Sequence, residues 1–153
     1  MGEFSVVQDF ITRLRDAEDR KDAGVLCELF TPAAKLENLT RPTQARSKSS
    51  SSANGAIAFW NQYLHAFDHI SSHFTHILES KGNAVLEWHS SGRLTMGTPV
   101  EYCGVSILEH DGRQITAFRT YYDSAALLPH AAHALKPFSE SVGTPDIRTE
   151  ASS

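Results

Sequence analysis

Apolar residues first recur along this chain at helical spacing. Val7, Phe10, Ile11 and Leu14 form one stripe that runs to about Arg20. Ser5 followed by Gln8 reads as a capping box opening that helix. Asp22 can cap a second, shorter helix whose apolar residues are Val25, Leu26, Leu29 and Phe30. Pro32 is expected to end it, because proline has no N–H and clashes with the preceding turn. Lys35 to Leu39 reads as a short strand, and Arg41 to Ser52, rich in Ser, Thr and Pro, as a loop. A third helix is predicted from about Ala53 to Asp68, with Ile57, Trp60, Leu64 and Phe67 on one stripe and Phe59 and Tyr63 beside it. This aromatic face is wide for one helix. It can pack as core, or it can wall a pocket, since binding cavities are lined by aromatic groups.

Beyond it the period changes to that of strands. The predicted strands are His73 to Ser80, Ala84 to Leu94, Val100 to Glu109 and Arg113 to Tyr122. They are separated by turns at Lys81-Gly82-Asn83, Gly97 to Pro99 and His110-Asp111-Gly112, where Asp-Gly supplies the positive φ of a hairpin. Asp123 can cap a last short helix through Leu128. Helices gathered before a four-strand antiparallel meander imply an α+β fold with the helices on one face of the sheet. A strongly curved sheet covered on that face leaves a cavity between the layers.

Composition narrows the function. The 153 residues suit one domain, read as 1–136, with 137–153 as a C-terminal tail rich in Ser, Thr, Gly and Pro. The net charge is −4 and the 14 Lys and Arg residues are scattered, which argues against a nucleic-acid partner. No apolar run is long enough for a membrane span, and no secretory signal opens the chain, so the cytoplasm is the expected address. Cys27 and Cys103 read as small buried apolar residues, without a disulfide framework.

A family likeness rests on several stretches in order. They are Val85-Leu86-Glu87-Trp88, then Gly97, then Tyr102 to Leu108, then Asp111-Gly112-Arg113-Gln114-Ile115, and then Arg119-Thr120-Tyr121-Tyr122-Asp123. Together they resemble the SnoaL-like branch of the nuclear transport factor 2-like superfamily, over about Val6 to Leu128. The resemblance implies a cone-shaped barrel with a curved, mostly antiparallel sheet wrapped around N-terminal helices, often a homodimer packed through the sheet. Its members include polyketide cyclases, ketosteroid isomerases, limonene-epoxide hydrolases and scytalone dehydratases, and others that bind without catalysis. Fold therefore points to function only through the site.

The candidate chemistry starts with Glu87 and His89, which share one side of their strand roughly 6–7 Å apart. An enclosed carboxylate and imidazole at that distance can act as base and acid on two ends of one substrate. The resemblance to limonene-epoxide hydrolases places both toward the pocket, whereas alternation alone sends Leu86 and Trp88 inward and leaves the pair outside. The resemblance also places Asn38 and Thr120 at pocket positions. Thr120, however, stands where the hydrolases have an Asp and Leu36 where they have a Tyr, so ordinary epoxide hydrolysis is not expected. In the family's register Phe118, Thr120 and Tyr122 face the pocket, and Arg119 and Asp123 pair outside or cap the next helix. Tyr102 and Ser106 are strand residues that could touch ligand. His73 or His76 could serve as an acid, as histidines do in the dehydratases. His65 and His69 sit four apart, as two ligands on a helix would, but no further metal motif accompanies them, and no metal or cofactor is expected.

The expected activity is thus cofactor-independent isomerisation, cyclisation or dehydration of a small hydrophobic metabolite such as a polyketide, terpenoid or steroid. In that scheme Glu87 and His89 are catalytic, while Asn38, Trp60, Tyr63, Phe67, His73, Phe118 and Thr120 bind substrate. The alternative is a binding or protein-interaction module of the same fold.

Overall fold

The computed structural model describes residues 5–39 and 55–127, and the predicted loop 41–52 and tail 137–153 lie outside them. Helix α1 spans Val6–Arg20. It opens where Ser5 accepts the Gln8 N–H at 3.1 Å and closes on Lys21 in the left-handed region. Its buried stripe includes Val7, Phe10, Leu14, Ala17 and, unexpectedly, Glu18.

Helix α2 is a single turn, Gly24–Cys27, with the Gly24 N–H held by Asp22 at 2.9 Å. It is shorter than predicted. Phe30 already begins strand β1 (Phe30–Asn38), and Pro32 lies inside that strand rather than ending a helix. Strand β1 is an edge of the sheet, and its register against its neighbour slips between Phe30 and Lys35. An edge or a bulge is where a strand tolerates a residue with no N–H.

Helix α3 spans Gly55–His65, and strands β2 (Phe67–Ser80), β3 (Asn83–Leu94), β4 (Pro99–His110) and β5 (Ile115–Tyr122) follow. The predicted third helix ran through Asp68, but β2 begins at Phe67. Phe67 continues the helical stripe of Trp60 and Leu64 and is buried, yet it is buried as a strand residue. His65 therefore ends a helix and His69 sits on a strand, so the two do not share a helix face. Among the described residues no group of three or more His, Cys, Asp or Glu side chains could hold a metal ion. A turn of 3-10 helix, Ser124–Leu127, closes the described chain, with Asp123 accepting the Ala125 N–H at 3.2 Å.

The sheet order is β1-β5-β4-β3-β2, antiparallel except for the parallel β1–β5 pair. Register shifts in β2 at Phe67/His69 and Phe74/His76 bend the long strand, as bulges do. The result is an open, curved, mostly antiparallel sheet with the helices on its concave face. The core lies between the layers and centres on Phe10, whose ring is 5.5 Å from Phe118 and 6.0 Å from Trp60, centroid to centroid. Trp60 also lies 5.1 Å from both Phe59 and Phe118. Its indole N–H has no hydrogen-bond partner among the described residues.

One glycine is needed for close approach. Gly104 pairs with Trp88 across β3 and β4, and a Cβ on it would come 2.6 Å from the indole edge and 2.7 Å from the Tyr122 Cβ. The missing side chain lets Trp88 lie across the sheet. No helix among the described residues is long and apolar enough to cross a membrane.

Candidate functional site

Alternation on the central strands decides which side chains face the helices. On β3 Ala84, Leu86, Trp88 and Ser90 are buried, while Val85, Glu87 and His89 are exposed. The expected catalytic pair is thereby corrected. Glu87 and His89 stand on the convex face with side chains 53% and 46% exposed. Glu87 bonds His76 at 2.7 Å, and His89 lies 3.5 Å from Glu101. His73 pairs with His89 across β2 and β3 on the same outer face, so it too is removed from the cavity. Their strand period already paired them with each other and against Leu86 and Trp88. All of these groups lie on the solvent-facing side of the sheet. Cys103, expected inside, is exposed on this face as well. Cys27 is half-buried, and burial with help from Asp22 pushes its thiol up to about 11.

The concave face encloses a cavity of about 240 Å³ between α1, α3 and the sheet. Its aromatic wall comes from Phe10, Phe59, Trp60, Phe67, Phe74 and Phe118. Ala58, Gln62 and Ala66 of the α3 region both line it and are exposed, which puts its mouth on that side. Of the expected binding residues, Asn38, Trp60, Tyr63, Phe67, Phe118 and Thr120 all line this space. Tyr102 and Ser106 line it too. The parallel pairing sets Asn38 beside Thr120 and Leu36 beside Phe118, so β1 and β5 contribute matched positions.

Two polar patches interrupt the aromatic wall. The first lies on β1, β4 and β5. There the Trp88 indole N–H donates to Ser106 Oγ at 3.0 Å, and Ser106 Oγ is 3.0 Å from Thr120 Oγ1. Asn38 donates through Nδ2 to the Tyr122 hydroxyl at 2.7 Å. Arg119, on the opposite face of β5, pairs with Glu109 at 2.8 Å, the structural role expected of it.

The second patch is built on a residue that the helical pattern disguised. Glu18 projects from α1 and is 5% exposed. Its Oε1 accepts the Ser72 N–H at 2.9 Å. Its Oε2 accepts the Ser72 hydroxyl at 2.6 Å and the Tyr63 hydroxyl at 2.7 Å. Ser72 Oγ is in turn 2.7 Å from Ser90 Oγ. Burial raises the Glu18 carboxyl above its ordinary value, against the lowering effect of the bonds from Ser72 and Tyr63. Burial, with Glu18 nearby, likewise pushes the Tyr63 hydroxyl well up. Tyr102 adjoins Tyr63 and is raised by its burial and by Tyr122. Glu18 itself does not line the cavity, but Tyr63, Ser72, Ser90 and Tyr102 do.

A signal for this patch was present. Glu18 falls four residues after Leu14 and eight after Phe10, on the apolar stripe of α1, where a carboxylate is out of place. Ser90 likewise sits at an inward position of β3, in phase with Leu86 and Trp88.

A helix-covered curved sheet around an apolar cavity with polar points defines the cone-shaped α+β class of pocket proteins. The chain belongs to the SnoaL-like domain family, whose model matches residues 11–118. In fold it is similar to an NTF2-like protein from Anabaena variabilis, with a TM-score of 0.69 at 14% identity over 79% of this chain and 89% of that one. It is also similar to a Catenulispora acidiphila protein of ketosteroid isomerase-like fold in complex with trimethylamine, with a TM-score of 0.67 at 14% identity over 80% and 92%. A candidate SnoaL-like polyketide cyclase from Jannaschia sp. aligns with a TM-score of 0.64 at 18% identity over 78% and 87%. Among curated proteins the sequence has no match.

Proposed function

We propose that the protein takes a small, mostly apolar, oxygen-bearing molecule into the cavity of its cone and acts on it by cofactor-independent acid–base chemistry. Isomerisation, cyclisation or dehydration of a polyketide, terpenoid or steroid fits such a space. The observation that carries this reading is the buried carboxylate of Glu18, one hydroxyl away from an aromatic cavity. A carboxyl raised by burial holds or releases a proton nearer neutral pH, and Ser72 or Tyr63 can pass it to a ligand. This replaces the expected assignment to Glu87 and His89.

The test is direct. Trp60 and Trp88 line the cavity, so their fluorescence reports its filling. A naphthalene-sized apolar probe should quench it with saturation, and Ala66→Phe at the mouth should weaken binding by roughly tenfold, the effect of a moderate steric clash. No saturable quenching by any such probe would sink the reading.

The same proposal includes self-association through the convex face of the sheet. Leu78, Val85 and Tyr121 expose apolar side chains there, next to the His76 and Glu87 pair. Sedimentation should show a dimer, and Val85→Glu should shift it to a monomer.

A further inference from the structure

The hydroxyl protons of two hydrogen-bonded clusters at the cavity, Tyr63–Ser72–Ser90 and Ser106–Thr120, can be counted, and the count separates two poles. At the Glu18 patch the ionised carboxylate can only accept. The one proton of Ser72 goes to Glu18 at 2.6 Å, so Ser90 must donate in its 2.7 Å bond to Ser72. The one proton of Tyr63 also goes to Glu18, at 2.7 Å. The Tyr63, Ser72 and Ser90 protons are therefore all spent within this relay, away from the cavity. What remains for a ligand at Ser90 and Ser72 is lone pairs.

The other patch has the opposite balance. The Trp88 indole can only donate, and it gives its proton to Ser106. Ser106 and Thr120 together carry two hydroxyl protons and share one contact, at 3.0 Å. One proton is used there whichever oxygen donates, and the other is left for a ligand. We infer that the cavity has an accepting pole at Ser72 and Ser90 and a donating pole at Ser106 and Thr120, and so selects apolar molecules that carry a free hydroxyl at one end and a carbonyl oxygen at the other. This rests on the cavity being the ligand site, as proposed above.

Glu18 is the positioning residue of the accepting pole, because its charge fixes the direction of the Ser90–Ser72 relay. The groups that face it are Tyr63 from α3, Ser72 from β2 and Tyr102 from β4, with Asp19 beside it on α1, and none of them is a cation. When Glu18 takes a proton it becomes a donor to Ser72 or Tyr63. The relay can then reverse, and Ser90 is freed to donate. The two poles thus differ in pH response: the carboxylate-backed one switches and the serine–threonine one does not.

Two probes separate these roles. 2-Naphthol can donate through its hydroxyl, and 2-acetylnaphthalene can only accept. Between about pH 8 and about pH 4, 2-naphthol should weaken by roughly fivefold to tenfold as its acceptor loses the carboxylate charge behind it, while 2-acetylnaphthalene should not weaken. Glu18→Gln should flatten the 2-naphthol response. Thr120→Val combined with Ser106→Ala removes both hydroxyl protons of this pole and should weaken 2-acetylnaphthalene and spare 2-naphthol. If both probes bind and their affinities move together with pH in the unsubstituted protein, the two-pole assignment is overturned, even if Glu18→Gln fails to fold. If neither probe binds at any pH, the cavity-binding reading fails and this inference falls with it.

Discussion

The two faces of the sheet carry their polar residues under opposite rules. On the convex face His76, Glu87, His89 and Glu101 pair in water, each with a side chain about half exposed or more. On the concave face Ser72, Ser90, Ser106 and Thr120 are small, shielded and bonded to one another or to Glu18. The residue types that look most reactive stand where solvent screens them, and the unassuming hydroxyls stand where each bond counts. Exposed ion pairs contribute on the order of 0–1 kcal/mol, whereas an orphaned buried donor or acceptor costs about 1–3 kcal/mol. Position, not residue type, sets the chemical weight of a side chain in this protein.

The largest effect that separates the faces should come from the aromatic wall. Phe118→Ala removes a buried ring packed on Phe10 and Trp60, and should lower unfolding free energy by about 3–5 kcal/mol in urea titration. A loss below about 1 kcal/mol would mean that the wall is not packed as described. Next comes Ser106→Ala, which leaves the buried Trp88 N–H without its acceptor. About 1–3 kcal/mol should be lost in the same assay, without a change of fold by circular dichroism.

A smaller and pH-dependent difference is expected at Glu18. Burial raises its carboxyl above 4.5 in the folded chain, so the unfolded chain gives up this proton at lower pH. In the window from the ordinary carboxylate value up to the raised one, the folded state still holds a proton that the unfolded state has lost. Stability from this group is therefore present at low pH and falls as pH climbs through that window. Glu18→Gln cannot titrate, so the wild type should lose ground to it as pH rises above about 4.5, followed by thermal unfolding across pH. A difference between the two that is flat with pH would refute the raised carboxyl. The smallest effect belongs to the convex face: Glu87→Gln should change stability by less than about 0.5 kcal/mol and leave probe binding unaltered. A loss of binding there would restore the pair to the site.

Much of the architecture was legible because local signals agreed with it. The Ser5 cap, the α1 stripe, the Asp111-Gly112 turn and the two-residue period of β3 to β5 each stand where the pattern placed them. Trp60, Tyr63 and Phe67 were legible as cavity positions from the aromatic stripe, and Asn38, Phe118 and Thr120 from the family resemblance. The start of β2 was not, since Phe67 and Ile70 suit a helix stripe as well as a bulged strand. Pro32 misled because its meaning depends on whether β1 is an edge, which is a property of the assembled sheet. Glu87 and His89 were misplaced when a distant likeness overruled the alternation that Leu86 and Trp88 display. Glu18 was missed because its partners, Tyr63 and Ser72, lie 45 and 54 residues away and no local pattern joins them.

The central claim is that ligand enters the concave cavity and not the shallow outer hollow formed by His76, Leu78, Val85, Glu87 and Val105. Intermolecular proton contacts from bound 2-naphthol, measured by nuclear Overhauser spectroscopy, decide between them. A ligand in the concave cavity gives contacts to the rings of Phe118 and Tyr102. Contacts to the methyl groups of Leu78 and Val85 instead would contradict this placement.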